Sequence, residues 1–427
     1  MKVLFNNANP IFRSNINIDI GGSRSEGSCK INYSANDGVE IANISTTVNA
    51  PGQKVFKNSE QFLDLLAQKI KTVQDQQRKT ISELGYKNDE NILKNVAIFV
   101  PSITYQNTAL MLPNIKESNN KPLENIDFND FKERLIEKGV EVSEDMRFML
   151  LQDVLGAGLE IARRLYDNNM LKVGSAYTVC ITGGGCGVAN IRMNEEQNIE
   201  LTCSGSTFLS DDDKIKKISS EGASSHAVIR NFCDSMWPRM DESTVQRIVE
   251  CNKAEFTINP IVTYTKDAKT EQLKDLLLST NDYEIVSEDD KTYTIKVKDT
   301  SSYKLAKDMA IYRYCKAIAR LGVIRRNELY DGLILTGPLA MAINNSLIKY
   351  PSIIGKNLAD RVKLFFRFDY NTNESKKLSE VYPFEVYCDE RFAISNNTDC
   401  KDLVYKVVFP SEKRSNLIKI STKHLKK

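Results

Sequence analysis

Histidine is nearly absent: only His226 and His424 occur in 427 residues. Two imidazoles cannot build a His-rich metal centre, and they argue against a Ser-His-Asp triad. Nine cysteines are scattered without a single CxxC pair, so neither a zinc ribbon nor a redox pair is indicated. Thiols of this kind fit a reducing cytoplasm, which is the expected location. No apolar run is long enough to span a bilayer, and the first residues carry no signal pattern. An excess of one charge is missing as well. With 58 Lys and Arg against 56 Asp and Glu, the net charge is +2, so no global field points to nucleic acid or an acidic membrane. The Lys-rich stretches at 214–217 and 423–427 read as solvated surface. The lone Trp237 reads as a core or lobe-edge aromatic, and His226 as a partly buried structural residue.

What is present is an ordinary globular composition, 41% hydrophobic and 27% charged, in a chain long enough for two full cores. Ile16 to Ile20, Ser28 to Tyr33 and Val39 to Val48 read as successive strands. A helix over Glu60 to Leu84 follows, with Phe62, Leu65, Leu66, Ile70 and Val73 at helical spacing, Ser59 as N-cap and Gly85 as C-cap. Asn95 to Val100 is a further strand. Met146 to Leu151 is an apolar run that ends at Gln152-Asp153, before a helix from Val154 to Tyr166. Strand, glycine turn, strand then recurs: Ala176 to Thr182, the Gly183–Gly187 cluster, and Val188 to Met193. The duplication is one of pattern, not of residues. Ile261 to Val297 looks like an insertion and Tyr303 to Leu321 like a long helix. Leu333 to Leu335 reads as a buried strand running into Thr336-Gly337-Pro338. Beyond Asp369 the chain is polar, with strands near Phe384 to Tyr387 and Leu403 to Val408.

The most informative stretch is DIGGS, residues 19–23. A carboxylate at a strand end beside a Gly-Gly-Ser turn suits a nucleotide with its metal. Gly21 and Gly22 let backbone N–H groups approach phosphate oxygens, Ser23 adds a hydroxyl, and Asp19 can hold hydrated Mg²⁺. An ordinary hairpin with a glycine turn is the plainer reading of the same residues. Asp153 before a helix, taken alone, likewise reads first as an N-cap. The order of four sites shifts the balance: DIGGS, Asp153, the Gly183–Gly187 cluster and Leu335-Thr336-Gly337-Pro338. In-line phosphoryl transfer between two lobes needs two phosphate-gripping turns, a carboxylate to take the hydroxyl proton, and a turn against the adenine.

From about Asn15 to about Asn345 the chain resembles the ROK family of repressors and sugar kinases, within the actin, sugar-kinase and heat-shock-chaperone superfamily. DIGGS looks like the family's first phosphate motif. LLQDVLGAGLE (Leu150 to Glu160) resembles the strand that ends in the general base, CITGGGCGVANI (Cys180 to Ile191) the second phosphate motif, and DGLILTGPLA (Asp331 to Ala340) the adenosine motif. The resemblance implies an α/β, two-lobed actin-like (ribonuclease-H-like) fold with a central nucleotide cleft. It implies lobes at about 1–125 and 126–370, an extension at 371–427, and an ATP-dependent kinase of sugar-like hydroxyls. Asp153 would be the base. Asp19, Gly21, Gly22, Ser23, Gly183, Gly184, Gly185, Gly187 and Gly337 would serve the nucleotide and its Mg²⁺. Gln152, Asp153 and Glu221 would face the sugar, with Ser225 on the Ser that follows the family's Glu. Members are commonly dimeric, so a homodimer is compatible.

The departures bear on activity. Gln152 stands for the family's Asn, Gly184 for a Thr, and Pro338 for a Gly whose N–H is thereby lost. The family's Glu-Gly-His segment and zinc loop are absent, so no zinc is expected. A non-catalytic nucleotide- or sugar-binding protein on the same fold is the alternative. A repressor is disfavoured, because residues 1–15 leave no room for a helix-turn-helix before the first motif.

Overall fold

The computed structural model describes residues 13–20, 29–36, 40–48, 55–83, 92–206, 218–350, 356–368, 384–394, 397–409 and 417–425. By contacts the chain divides into two units, residues 1–160 with 396–427, and residues 161–395. The sequence expectation placed a division at 125/126. Residue 125 lies in the strand Pro122–Asp127, which pairs with Thr108–Glu117 inside the first unit.

The first unit is built on β1 (Arg13–Ile20), β2 (Cys29–Asn36), β3 (Glu40–Val48), β4 (Ile92–Val100) and β5 (Val142–Gln152), in the order β3-β2-β1-β4-β5. β2 runs antiparallel to β1 and β3, whereas β1, β4 and β5 are parallel. In β1 the period of two is visible in the sequence. Ile16, Ile18 and Ile20 enter one core, and Asn15, Asn17 and Asp19 share the other face. The isoleucines pack with Val96, Ile98 and Val100 of β4, Leu150 of β5, and the apolar stripe Phe62, Leu66, Ile70 and Val73 of α1 (Ser59–Glu83). Each such side chain contributes roughly 1.5–3 kcal/mol on burial. The α1 N-terminus is capped one residue earlier than expected: the Gln61 N–H donates to Asn58 Oδ1 at 3.1 Å. Gly85 lies outside the described residues. Gln152, the last residue of β5, is followed directly by α2 (Asp153–Asp167), and the division between the units falls within that helix.

The second unit repeats the plan. β6 (Ala176–Thr182), β7 (Cys186–Met193), β8 (Asn198–Ser206), β9 (Gly332–Thr336) and β10 (Glu385–Tyr387) take the order β8-β7-β6-β9-β10. β7 is antiparallel to both its neighbours, and β6, β9 and β10 are parallel. Across these five of the sheet's six strands, order and direction therefore match the first unit position by position. This is the ribonuclease-H-like arrangement present twice, and the fold is of the two-lobed actin-like α/β class. α3 (Ser225–Met236) and α4 (Thr300–Asn327) cover the sheet, with Val228, Phe232, Tyr314 and Ile318 packed with Cys180, Val188, Leu333 and Leu335. α5 (Pro338–Lys349) follows β9. The insertion carries a three-stranded antiparallel sheet, Ile261–Thr265, Tyr283–Glu288 and Thr292–Val297, with a helix at Ala268–Ser279. Trp237 stands at the core edge, as expected; its indole N–H donates to Asp282 at 2.6 Å.

The polar tail keeps the expected strand near Phe384 to Tyr387 but not the one at Leu403 to Val408. Glu385–Tyr387 is a strand of the second unit, beside β9, whereas the residues from 396 onward belong to the first. Asn397–Lys406 is a 3₁₀ segment rather than part of a strand; only Val408, across from Lys419, makes an isolated bridge. The apolar run Leu403-Val-Tyr mimics a buried strand. Its side chains are buried by packing on existing structure, which requires no strand partner.

Candidate functional site

In the first unit two acidic residues stand at the carboxyl ends of parallel strands. Asp19 is the next-to-last residue of β1, and Asp153 follows directly from β5 and opens α2. Asp19 lies opposite Phe99, and Phe99 opposite Leu151, so strand alternation puts the two acids on one face of the sheet. Asp19 is buried and Asp153 half-buried. Burial pushes the Asp153 carboxyl up to about 7, and the negative charge of Asp19 pushes in the same direction. Backbone N–H groups oppose the rise, among them that of Val154, 2.8 Å from Oδ1. Asp153 is thus the first residue of the helix rather than the residue ahead of it, and its carboxyl accepts from the next N–H instead of making the expected N-cap bond. Gln152 is on the Leu150 face by alternation. Its Oε1 is buried without a hydrogen-bond partner. Gly21, Gly22 and Ser23 lie outside the described residues.

In the second unit the glycine cluster is a three-residue turn, 183–185, between β6 and β7. The Gly183 N–H donates to the Gly185 carbonyl at 2.8 Å and closes the turn. The Gly183 carbonyl accepts from both the N–H (2.8 Å) and the hydroxyl (2.7 Å) of Ser225. Gly187 is already in β7, opposite Ile181. Gly184 and Gly185 are therefore the residues whose N–H groups the turn has to offer an anion. The Ser225 bond to Gly183 ties the start of α3 to the turn, and Ser224 caps that helix by accepting from the Ala227 N–H at 3.2 Å. Gly337 is brought to the same place. Its φ is +93°, and a Cβ there would stand 2.5 Å from the Thr182 carbonyl oxygen, so only glycine fits. Pro338 is the first residue of α5, where a helix has no use for the missing N–H, and its ring would lie 3.8 Å from a Cβ on Gly183.

Elsewhere the expected residues divide. The Glu221 carboxylate forms an ion pair with Arg320 of α4. His226 is half-buried, and its pKa is lowered by burial and then by Lys269, against Glu250. Cys180 and Cys186 are buried, their sulfurs 3.5 Å apart. Among the described residues no group of three His, Cys, Asp or Glu side chains is placed to hold a metal, and no helix is long and apolar enough to cross a membrane.

Several solved structures are similar to the chain. Glucokinase from Balamuthia mandrillaris, solved with glucose, shares 11% identity over 89% of this chain and 91% of its own, with a TM-score of 0.49. A ROK family glucokinase from Streptomyces griseus, solved with glucose and AMPPNP, shares 11% over 91% and 96%, with a TM-score of 0.42. A ROK hexokinase from Thermus thermophilus shares 11% over 87% and 92%, with a TM-score of 0.40. The chain resembles the ROK sugar kinases. No family model and no curated protein matches it. The fold assignment rests on the doubled strand order, not on these superpositions.

The Ser225 clamp on the Gly183 turn was not foreseen from the sequence. Its one legible signal is Ser-Ser ahead of an apolar-periodic run, which marks a helix start but not what the start touches.

Proposed function

We propose that this chain is an ATP-dependent kinase acting on a hydroxyl of a sugar or sugar-like molecule. The acidic pair Asp19 and Asp153 supports this most directly. A general base works best with a pKa near the working pH, and Asp153 is pushed to about 7. In this reading Asp153 accepts the proton of the attacking hydroxyl. Asp19 would hold Mg²⁺, a hard cation that a carboxylate suits. When bound, the metal neutralises charge on the phosphates. Gly21, Gly22 and Ser23 contribute phosphate donors in the first unit. In the second, Gly184 and Gly185 offer N–H groups, and the positive end of the α3 dipole, tied to the turn by Ser225, favours an anion. Gly337 borders the adenine. Gln152, expected to face the sugar, lies on the core side of β5, away from the face shared by Asp19 and Asp153, and is left out of this reading. A cytoplasmic setting and a homodimer belong to the same proposal.

The second reading is a nucleotide- or sugar-binding protein without turnover. The Glu221 ion pair with Arg320 favours it, because that carboxylate is already engaged. ATP consumption against a panel of hexoses, amino sugars and polyols separates the two. Stimulation of ADP release by one of them supports the kinase. ATP binding with no stimulation by any of them supports the binder.

A further inference from the structure

Away from the acids and glycines, the second unit buries a cation that its own side chains leave incompletely bonded. Lys307 of α4 is only 9% exposed. Its ammonium donates to Ser346 Oγ of α5 at 2.8 Å, and the Ser346 hydroxyl donates to the Ile258 carbonyl at 3.2 Å. An ammonium has three N–H donors. Among the described residues Lys307 uses one of them and makes no ion pair. Burial pushes its pKa down to about 8. Asp308, exposed at the next position, opposes the fall, and Arg361, a second buried cation, adds to it.

A second buried donor lies close by. Tyr303, one turn earlier on the same face of α4, is 2% exposed, and its hydroxyl has no hydrogen-bond partner among the described residues. Burial, and after it the nearby Tyr350, push the Tyr303 hydroxyl pKa up. The same Tyr350 ring has the ammonium groups of Lys307 and Lys349 each 5.4 Å from its centre. Tyr350 and Lys349 are exposed, so the buried donors border a point that solvent reaches. The carboxyl end of α5 favours positive charge there, but it supplies no hydrogen bond to either donor. Buried donors without acceptors and a buried charge without a counter-ion are both costly. An anion with several acceptor oxygens relieves both costs. A phosphate group has them, together with enough charge to face several cations, and lysine binds it as a point charge.

We propose that Lys307, Tyr303 and Lys349 form a binding site for a phosphate group, at the opposite end of α5 from Gly337. The 12 residues of α5 put about 18 Å between its two ends. The site is therefore distinct from the Gly183 turn, and the proposal does not depend on the reaction assigned to Asp19 and Asp153.

The test is calorimetric titration of the full-length protein with inorganic phosphate, without magnesium and at constant ionic strength. Lys307→Met removes the charge and keeps the stem. Tyr303→Phe removes the hydroxyl alone and serves if the first variant does not fold. The parent is expected to bind phosphate saturably, Lys307→Met to weaken that affinity about tenfold or more, and Tyr303→Phe about threefold or more. Ser225→Ala is titrated alongside, because the Gly183 turn is the other place a phosphate has reason to bind; it should leave this affinity unchanged. Glycerol 3-phosphate in place of the free ion distinguishes a phosphate ester from phosphate itself, the tighter of the two being the source, and the same losses are expected with either. No saturable binding, binding equal in the parent and a folded Lys307→Met, or a loss that follows Ser225→Ala instead overturns the proposal. The titration needs no turnover, so a protein that phosphorylates no sugar would sink the kinase reading and leave this result standing.

Discussion

Asp153 is under two opposed demands. It opens a helix, where a charged carboxylate is welcome, and it sits half-buried beside Asp19, where a charge is not. The second demand wins, and it has a consequence for stability. Below about pH 4 the carboxyl is protonated in native and unfolded chains alike. Between about 4 and 7 the unfolded chain loses the proton while the native chain keeps it, so stability falls as pH rises, and above about 7 the loss is complete. Asp153→Asn removes this titration. The variant should be more stable than the parent at pH 8, by about 2 kcal/mol, and no more stable at pH 4, as read by urea unfolding at the two values. Gly337 makes a simpler prediction. With φ at +93° and the Thr182 carbonyl 2.5 Å from the place of a Cβ, Gly337→Ala is strained twice over. A loss of about 2–4 kcal/mol is expected in thermal or denaturant unfolding.

At the scale of elements, the Gly183 turn is held from outside by α3. Ser225→Ala removes the hydroxyl bond to the Gly183 carbonyl but leaves the N–H bond, so the expected loss is about 1 kcal/mol. If the turn carries phosphate, the variant raises the KM for ATP several-fold with a smaller change in kcat; an unchanged KM would detach this turn from the nucleotide. Most elements were legible because their periods are clean. The Ile-Asn-Ile-Asp alternation of β1 and the spacing of Phe62, Leu66, Ile70 and Val73 in α1 admit few other structures. Leu403-Val-Tyr was not legible, because an apolar run reports burial and not the form of the backbone that buries it. Of the candidate site, the strand-end positions of Asp19 and Asp153 and the turn at 183–185 were legible as local structure. A carboxylate at a strand end and a glycine cluster after a strand leave their mark on local sequence. Contacts such as Ser225 to Gly183 or Tyr405 to Asn17 join distant residues and leave none.

At the scale of the molecule, the doubled sheet order explains why the pattern of strand, glycine turn and strand occurs in both halves without residue similarity. Strand order and direction are set by where apolar faces and short turns fall, and these tolerate almost any residue exchange that keeps the period. Such tolerance is why the doubled arrangement leaves the chemistry open, to be argued from the chain's own acids. The most direct test is therefore ATP turnover by the whole chain with its best sugar-like acceptor, measured across pH for the parent and for Asp153→Asn. A kinase using Asp153 as base shows a rate that rises with pH through about 7, and the Asn variant loses about 100-fold or more while remaining folded. Equal rates for the folded variant and the parent, with the same pH profile, would contradict the assignment of Asp153 and the mechanism built on it.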